Sequence, residues 1–125
     1  MRLLLDSHAF LWWLADAPEL SEPARTAMAD PANLVLVSAA TIWEIEIKRA
    51  LGRLEVGSAD LVAEIDANRF AELPISARHA AAAAALPRHH EDPFDRMLLA
   101  QSQAESLVCI TRDPAFEPYG IACLW

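Results

Sequence analysis

Apolar residues along this chain fall into two kinds of pattern. Short runs at RLLL (2–5), LVLV (34–37), LVCIT (107–111) and IACLW (121–125) are continuously apolar or β-branched, with a weaker one at AELPI (71–75). Runs of this length without alternation predict strands buried on both faces, and hence a parallel sheet covered by helices. Between them, HAFLWWLADA, SEPARTAMAD, AATIWEIEIKRAL, SADLVAEIDANRF, SARHAAAAAAL and DPFDRMLLAQSQAE carry helix-forming composition, several behind a Ser or Asp cap. The succession predicts a three-layer α/β/α domain, with residues 1–125 forming one unit without a linker. The alanines from Ala80 to Ala85 read as helix and not as low complexity, because alanine is the best helix former and Leu86-Pro87 supplies a stop.

Composition supports a packed core: 54% of the 125 residues are hydrophobic and only three are glycine. A net charge of −8 excludes a protein that coats nucleic acid through a bulk basic surface. A local basic strip is still possible, and the only lysine, Lys48, lies close to Arg49 and Arg53. The opening MRLLLD loses its apolar run at Asp6, too soon for a secretory signal, and AFLWWLA is far short of a membrane span. A cytoplasmic protein without membrane attachment is expected. Cys109 and Cys123 lie in β-like runs with no metal spacing, so both are expected to be reduced core thiols.

The candidate chemistry lies at strand ends, where open α/β sheets bind ligands. Asp6 follows RLLL and Asp113 follows LVCITR. Either acid alone is readily explained as a cap or turn residue, but two together point to a site. Glu44 lies in the helix after the second strand, on a stripe shared with Ala40, Ile47 and Leu51, whereas Glu46 shares the opposite stripe with Arg49 and Arg53. A carboxylate on the apolar side has to be paired, protonated or bound to a cation. In HHEDPFDRMLLAQ, Asp92 before Pro93 has the form of an N-cap, and Asp95 then lies in the first helical turn, ahead of an apolar run that implies a buried helix. His89, His90 and Glu91 are adjacent and point apart, and no His or Cys pair completes a tetrahedron, so zinc is not expected. Acids from four segments suit a hard cation such as Mg²⁺ or Mn²⁺.

Taken together, LLLDSHAFLWWL, SAATIWEIEIK, DPFDRMLLAQ and TRDPAF resemble the PIN-domain family, and within it the VapC toxins of bacterial type II toxin–antitoxin modules. The resemblance runs from residue 3 to about residue 116 in order and spacing. It implies a five-stranded parallel sheet of order 3-2-1-4-5 and an endoribonuclease using one or two Mg²⁺ or Mn²⁺ ions. Carried over residue by residue, the family's acids fall on Asp6, Glu44, Asp95 and Asp113. Asp6 and Asp95 are expected as direct ligands. Glu44 and Asp113 would act through water, hold a second ion or orient the attacking water. Ser7 and Thr111 match hydroxyl residues that support the acids, and Asp92 matches the first acid of the DPFD motif while keeping its reading as a cap. Arg96 and Arg112 flank the acids and are expected either to steady the RNA backbone or simply to be solvated. Lys48 and Arg49 would line an RNA path if two subunits face each other. Trp12, Trp13 and Trp43 read as core or interface aromatics. A small antitoxin would wrap the toxin, which an apolar first helix suits, and a homodimer is implied. Two alternatives remain at this point: a receiver-type signalling domain, which needs a lysine at a late strand end that this sequence lacks, and a PIN-fold binding module without activity.

Overall fold

The computed structural model describes residues 1–125. The chain runs β1 (Arg2–Leu5), α1 (Ser7–Leu14), α2 (Glu22–Ala29), β2 (Leu34–Ser38), α3 (Ala39–Ala50), α4 (Leu61–Ala67), β3 (Ala71–Leu73), α5 (Ala77–Ala85), α6 (Pro93–Glu105), β4 (Val108–Ile110), a 3₁₀ turn (Pro114–Tyr119) and β5 (Cys123–Leu124). Every α-helix starts behind a Ser or Asp whose side chain accepts a backbone N–H: Asp6, Ser21, Ser38, Asp60, Ser76 and Asp92. Those oxygens satisfy donors that a helix start otherwise leaves unpaired.

The strands pair in parallel in the order β3-β2-β1-β4-β5. Successive side chains alternate between the two faces, and both faces are covered. Leu3, Leu5, Val35, Val37 and Ile110 pack with Phe10, Ala24, Met28, Ile45, Leu61 and Ile65 from α1 to α4. Leu4, Leu36 and Cys109 pack on the other face with Ala83, Leu98, Leu99 and Ala100 from α5 and α6. The continuous apolar runs therefore have their predicted cause, burial on both faces. The strand order reverses at β1, which lies between β2 and β4, so a crevice opens beyond the carboxyl ends of β1 and β4.

Some expectations are corrected. Cys109 is buried in the sheet, but Cys123 is exposed on the short edge strand β5, so only one of the two is a core thiol. The helix expected over 58–70 is shorter, because Asp60 caps it and Asn68 ends it. Residues 114–119 form a 3₁₀ turn that the apolar pattern did not signal.

Candidate metal centre

Asp6 is the first residue beyond β1, and its N–H still bonds to Ile110 O of β4 at 3.1 Å. Its carboxylate caps α1 through Ala9 N at 2.8 Å and is only 7% exposed. The buried Thr111 hydroxyl, just past β4, hydrogen-bonds Asp6 and accepts the Asp113 N–H at 3.0 Å. Asp113 caps the 3₁₀ turn through Ala115 N at 2.9 Å. Two neighbouring strands thus deliver two carboxylates with one hydroxyl between them. Burial raises the Asp6 pKa, against the opposing hydrogen bonds from Thr111 and Ala9, and Asp113 adds to the rise.

Glu44 enters from α3 and is 6% exposed, on a face with Ala40, Thr41 and Ile45. The companions expected from the stripe differ: Ile47 is half-buried and Leu51 is 61% exposed, because α3 leaves the core after Ile45. Glu44 is paired. It accepts Ser7 Oγ at 2.5 Å and Lys48 Nζ at 2.8 Å. The Lys48 pKa is raised, first by that hydrogen bond. Glu46 faces outward and pairs with Arg49 at 3.3 Å.

The N-terminus of α6 supplies the remaining acids. Asp92 Oδ1 accepts the N–H groups of Phe94 and Asp95, so it is a cap, and its side chain also lines the crevice. Asp95 Oδ2 lies 2.8 Å from His90 Nε2. Burial pushes the Asp95 pKa up to about 6; the His90 hydrogen bond opposes this, while Asp92 and Glu44 add to it. Asp6, Glu44, Asp92, Asp95 and Asp113 line one cavity of about 200 Å³ together with Ser7, His8 and Lys48. Ligand atoms of His90, Asp95 and Asp113 lie within 4.8 Å of one another.

The structure brings two histidines, His8 and His90, to the acids and takes Arg96 away from them. His90 hydrogen-bonds Asp95, one of the acids of that cavity, whereas His89 and Glu91 on either side are exposed. No periodicity rule finds such a residue, since it contacts Asp95 across a proline-started turn. Arg96, expected beside the RNA backbone, is instead 7% exposed, and its guanidinium donates to the carbonyls of Ala83, Ala84, Leu86, Pro87 and His90. It closes the carbonyl end of α5, where a cation is favoured, and is unavailable to a ligand. Arg112 stays exposed, its guanidinium 4.4 Å above the Trp12 ring, which also stacks on His8. Arg49 also bonds Ala59 O at 3.1 Å, so it is held against the 51–60 loop.

A divalent cation suits this donor set. Carboxylate oxygens are hard ligands, and five acids share the cavity with one lysine. Burial first, and neighbouring acids second, disfavour the charged forms of Asp6 and Asp95, and a bound cation would favour them.

Residues 3–121 match the family model described as PIN domain. No curated protein matches the sequence. The fold is similar to that in the crystal structure of VapBC2 from Rickettsia felis bound to a DNA fragment from their promoter, with TM-score 0.71 and 13% identity over 98% of this chain and 97% of that one. FitAcB from Neisseria gonorrhoeae gives 0.62 and 21% over 97% and 95%. A toxin–antitoxin complex from Klebsiella pneumoniae gives 0.60 and 21% over 89% and 86%. At these identities the likeness is one of fold.

Proposed function

The chain belongs to the PIN-domain family, and on that premise we propose that it is a metal-dependent endoribonuclease acting as the toxin of a type II toxin–antitoxin module. The observation that carries this reading is the convergence of acids from β1, α3, α6 and β4 on one cavity at the switch point of the sheet. Mg²⁺ or Mn²⁺ bound there would supply an activated water and neutralise charge on a phosphoryl group that the bare acids would repel. Asp6, Glu44, Asp95 and Asp113 are the residues that would hold one or two ions. Ser7 orients Glu44, and Thr111 orients Asp6 and Asp113. Glu44 and Asp113 are also the candidates for orienting the attacking water. The exposed Arg112 and the half-exposed Lys48 would contact the RNA backbone.

Two surface features support the proposed partners. A cleft of about 470 Å³ runs beside α1, lined by Leu11, Trp12, Leu14, Leu54 and Val56, and suits an apolar segment of an antitoxin. The 61% exposed Trp43, packed edge-on against Phe94, suits a contact between two copies of the chain. No helix is long and apolar enough to cross a membrane. The receiver alternative is disfavoured by topology, since that fold orders its strands 2-1-3-4-5 and this sheet runs 3-2-1-4-5.

The test is RNA cleavage by antitoxin-free protein with Mg²⁺ or Mn²⁺. Cleavage that stops with EDTA and is lost in Asp6→Asn is expected. Cutting that persists in the variant assigns the activity to a contaminant, and a folded wild type that binds Mn²⁺ but never cuts leaves an inactive binding module.

A further inference from the structure

Resting on the reading of the acidic cavity as a metal site, we infer that His90 is a positioning residue, which holds the Asp95 carboxylate by donating Nε2–H and does not itself ligate the ion. The Asp95 carboxylate has one hydrogen bond. Oδ2 meets His90 Nε2 at 2.8 Å, while Oδ1 has no hydrogen-bond partner. One oxygen is anchored and the other is left for a cation.

Which ring nitrogen carries the proton follows from the backbone. The Asp92 N–H points at His90 Nδ1 at 3.4 Å, so Nδ1 accepts and the proton of a neutral imidazole lies on Nε2. The spacing of His90, Asp95 and Asp113 would by itself permit the imidazole to be a ligand. Ligation through Nε2 needs its lone pair and moves the proton to Nδ1, where it would oppose the Asp92 N–H. Two donors facing each other disfavour that arrangement, and the donor role remains.

The backbone of His90 is held in place by buried groups. The His90 N–H donates to Tyr119 Oη at 2.8 Å, and the same hydroxyl donates to Pro87 O at 2.7 Å. His90 O accepts from Arg96 Nη1 at 3.0 Å, and the Arg96 guanidinium also binds the last carbonyls of α5. The end of α5, the start of α6 and the 3₁₀ turn thereby fix both backbone polar groups of a residue whose neighbours are exposed. Support of this kind to a ligating carboxylate governs metal affinity in other proteins by about 10- to 100-fold.

The decisive measurement is Mn²⁺ binding to the purified full chain, followed by electron paramagnetic resonance without RNA. His90→Ala is expected to weaken Mn²⁺ binding by about 10- to 100-fold, and His90→Gln, whose amide can still donate, to recover much of that loss. Pulsed spectra of the Mn²⁺-loaded wild type should show no coupling to a ligating nitrogen. Unchanged affinity in folded His90→Ala, or a directly bound nitrogen in the wild type, overturns the inference. Should His90→Ala not fold, the nitrogen coupling and His90→Gln still decide, the latter by keeping near wild-type affinity or losing it. None of these readouts involves RNA, so a wild type that binds Mn²⁺ as expected and cuts nothing defeats the nuclease reading alone. A wild type that does not bind Mn²⁺ defeats this inference together with the metal-site reading beneath it.

Discussion

The two ends of α6 each carry a histidine–carboxylate pair, and the pairs are nearly alike in geometry. At the start of the helix His90 Nε2 lies 2.8 Å from Asp95, and at its end His79 Nε2 lies 3.0 Å from Glu105. Their surroundings differ. His79 belongs to the capping box of α5, taking the Ser76 N–H at Nδ1 and returning its own N–H to Ser76 Oγ, so its pair with Glu105 ties α5 to α6. Asp95 shares its cavity with Asp6, Glu44, Asp92 and Asp113. A histidine beside a carboxylate is therefore no mark of function by itself. What sets the Asp95 pair apart is a set of acids from separate elements held together with one lysine.

The largest contrast should come from removing one carboxylate at each end of α6. Asp95→Asn is expected to lower RNA cleavage on the order of a thousandfold, the scale of losing one group that stabilises charge in a transition state, while Glu105→Gln stays within about twofold of wild type. Equal losses, read as initial rates on the same RNA, would mean that the crowded end has no special role. The α3 pair sharpens the same point with a smaller effect. Glu44→Gln should suppress cleavage by roughly tenfold or more through weakened metal binding, and Glu46→Gln should leave it unchanged. Equal effects would remove the distinction between buried and outward carboxylates.

The smallest effect is thermodynamic and needs no substrate. Asp95 titrates near 6 in the fold against an ordinary value of 3.8, so the metal-free native state binds its proton more tightly than the unfolded chain does. The stabilisation this gives is complete below the ordinary value and is lost as pH rises through about 6. The raised Asp6 pKa acts with the same sign. Metal-free protein is thus expected to melt at a lower temperature at pH 7.5 than at pH 5. Asp95→Asn should reduce that difference by about 1.4 kcal/mol, the worth of the one pH unit between 5 and about 6. Mn²⁺ should stabilise the wild type more at pH 7.5 than at pH 5. Thermal melts at the two pH values, with EDTA and with Mn²⁺, check all three, and a wild type whose metal-free stability rises over this range would reverse the assigned sign.

The fold, and the placement of most candidate residues around one cavity, were legible in the sequence for local reasons. A strand buried on both faces has to be apolar throughout, and a helix start has to be capped, so LVLV and DP announce their elements without reference to the rest of the chain. Asp6 and Asp113 could be read from position, since residues just past the carboxyl end of a strand, the first after β1 and the third after β4, emerge at the crevice. Glu44 could be read as buried from helical periodicity, although its true neighbours are Thr41 and Ile45 instead of Leu51. The order of the sheet came from resemblance to a family, because pairing partners leave no mark within a single strand.

What tertiary structure alone decided were contacts between segments. Arg96, in sequence a charged residue beside two acids, is a buried clamp because the end of α5 brings its carbonyls to it. His90 has the same local character as His89, but Tyr119 and Arg96 hold its backbone and the Asp92 N–H meets its ring, so that it faces Asp95. Side-chain periodicity and capping are properties of a few consecutive residues and survive in the unfolded sequence as pattern. The direction of a loop side chain is set by partners on other elements, such as Tyr119 for His90, and they are not in place until the chain has folded.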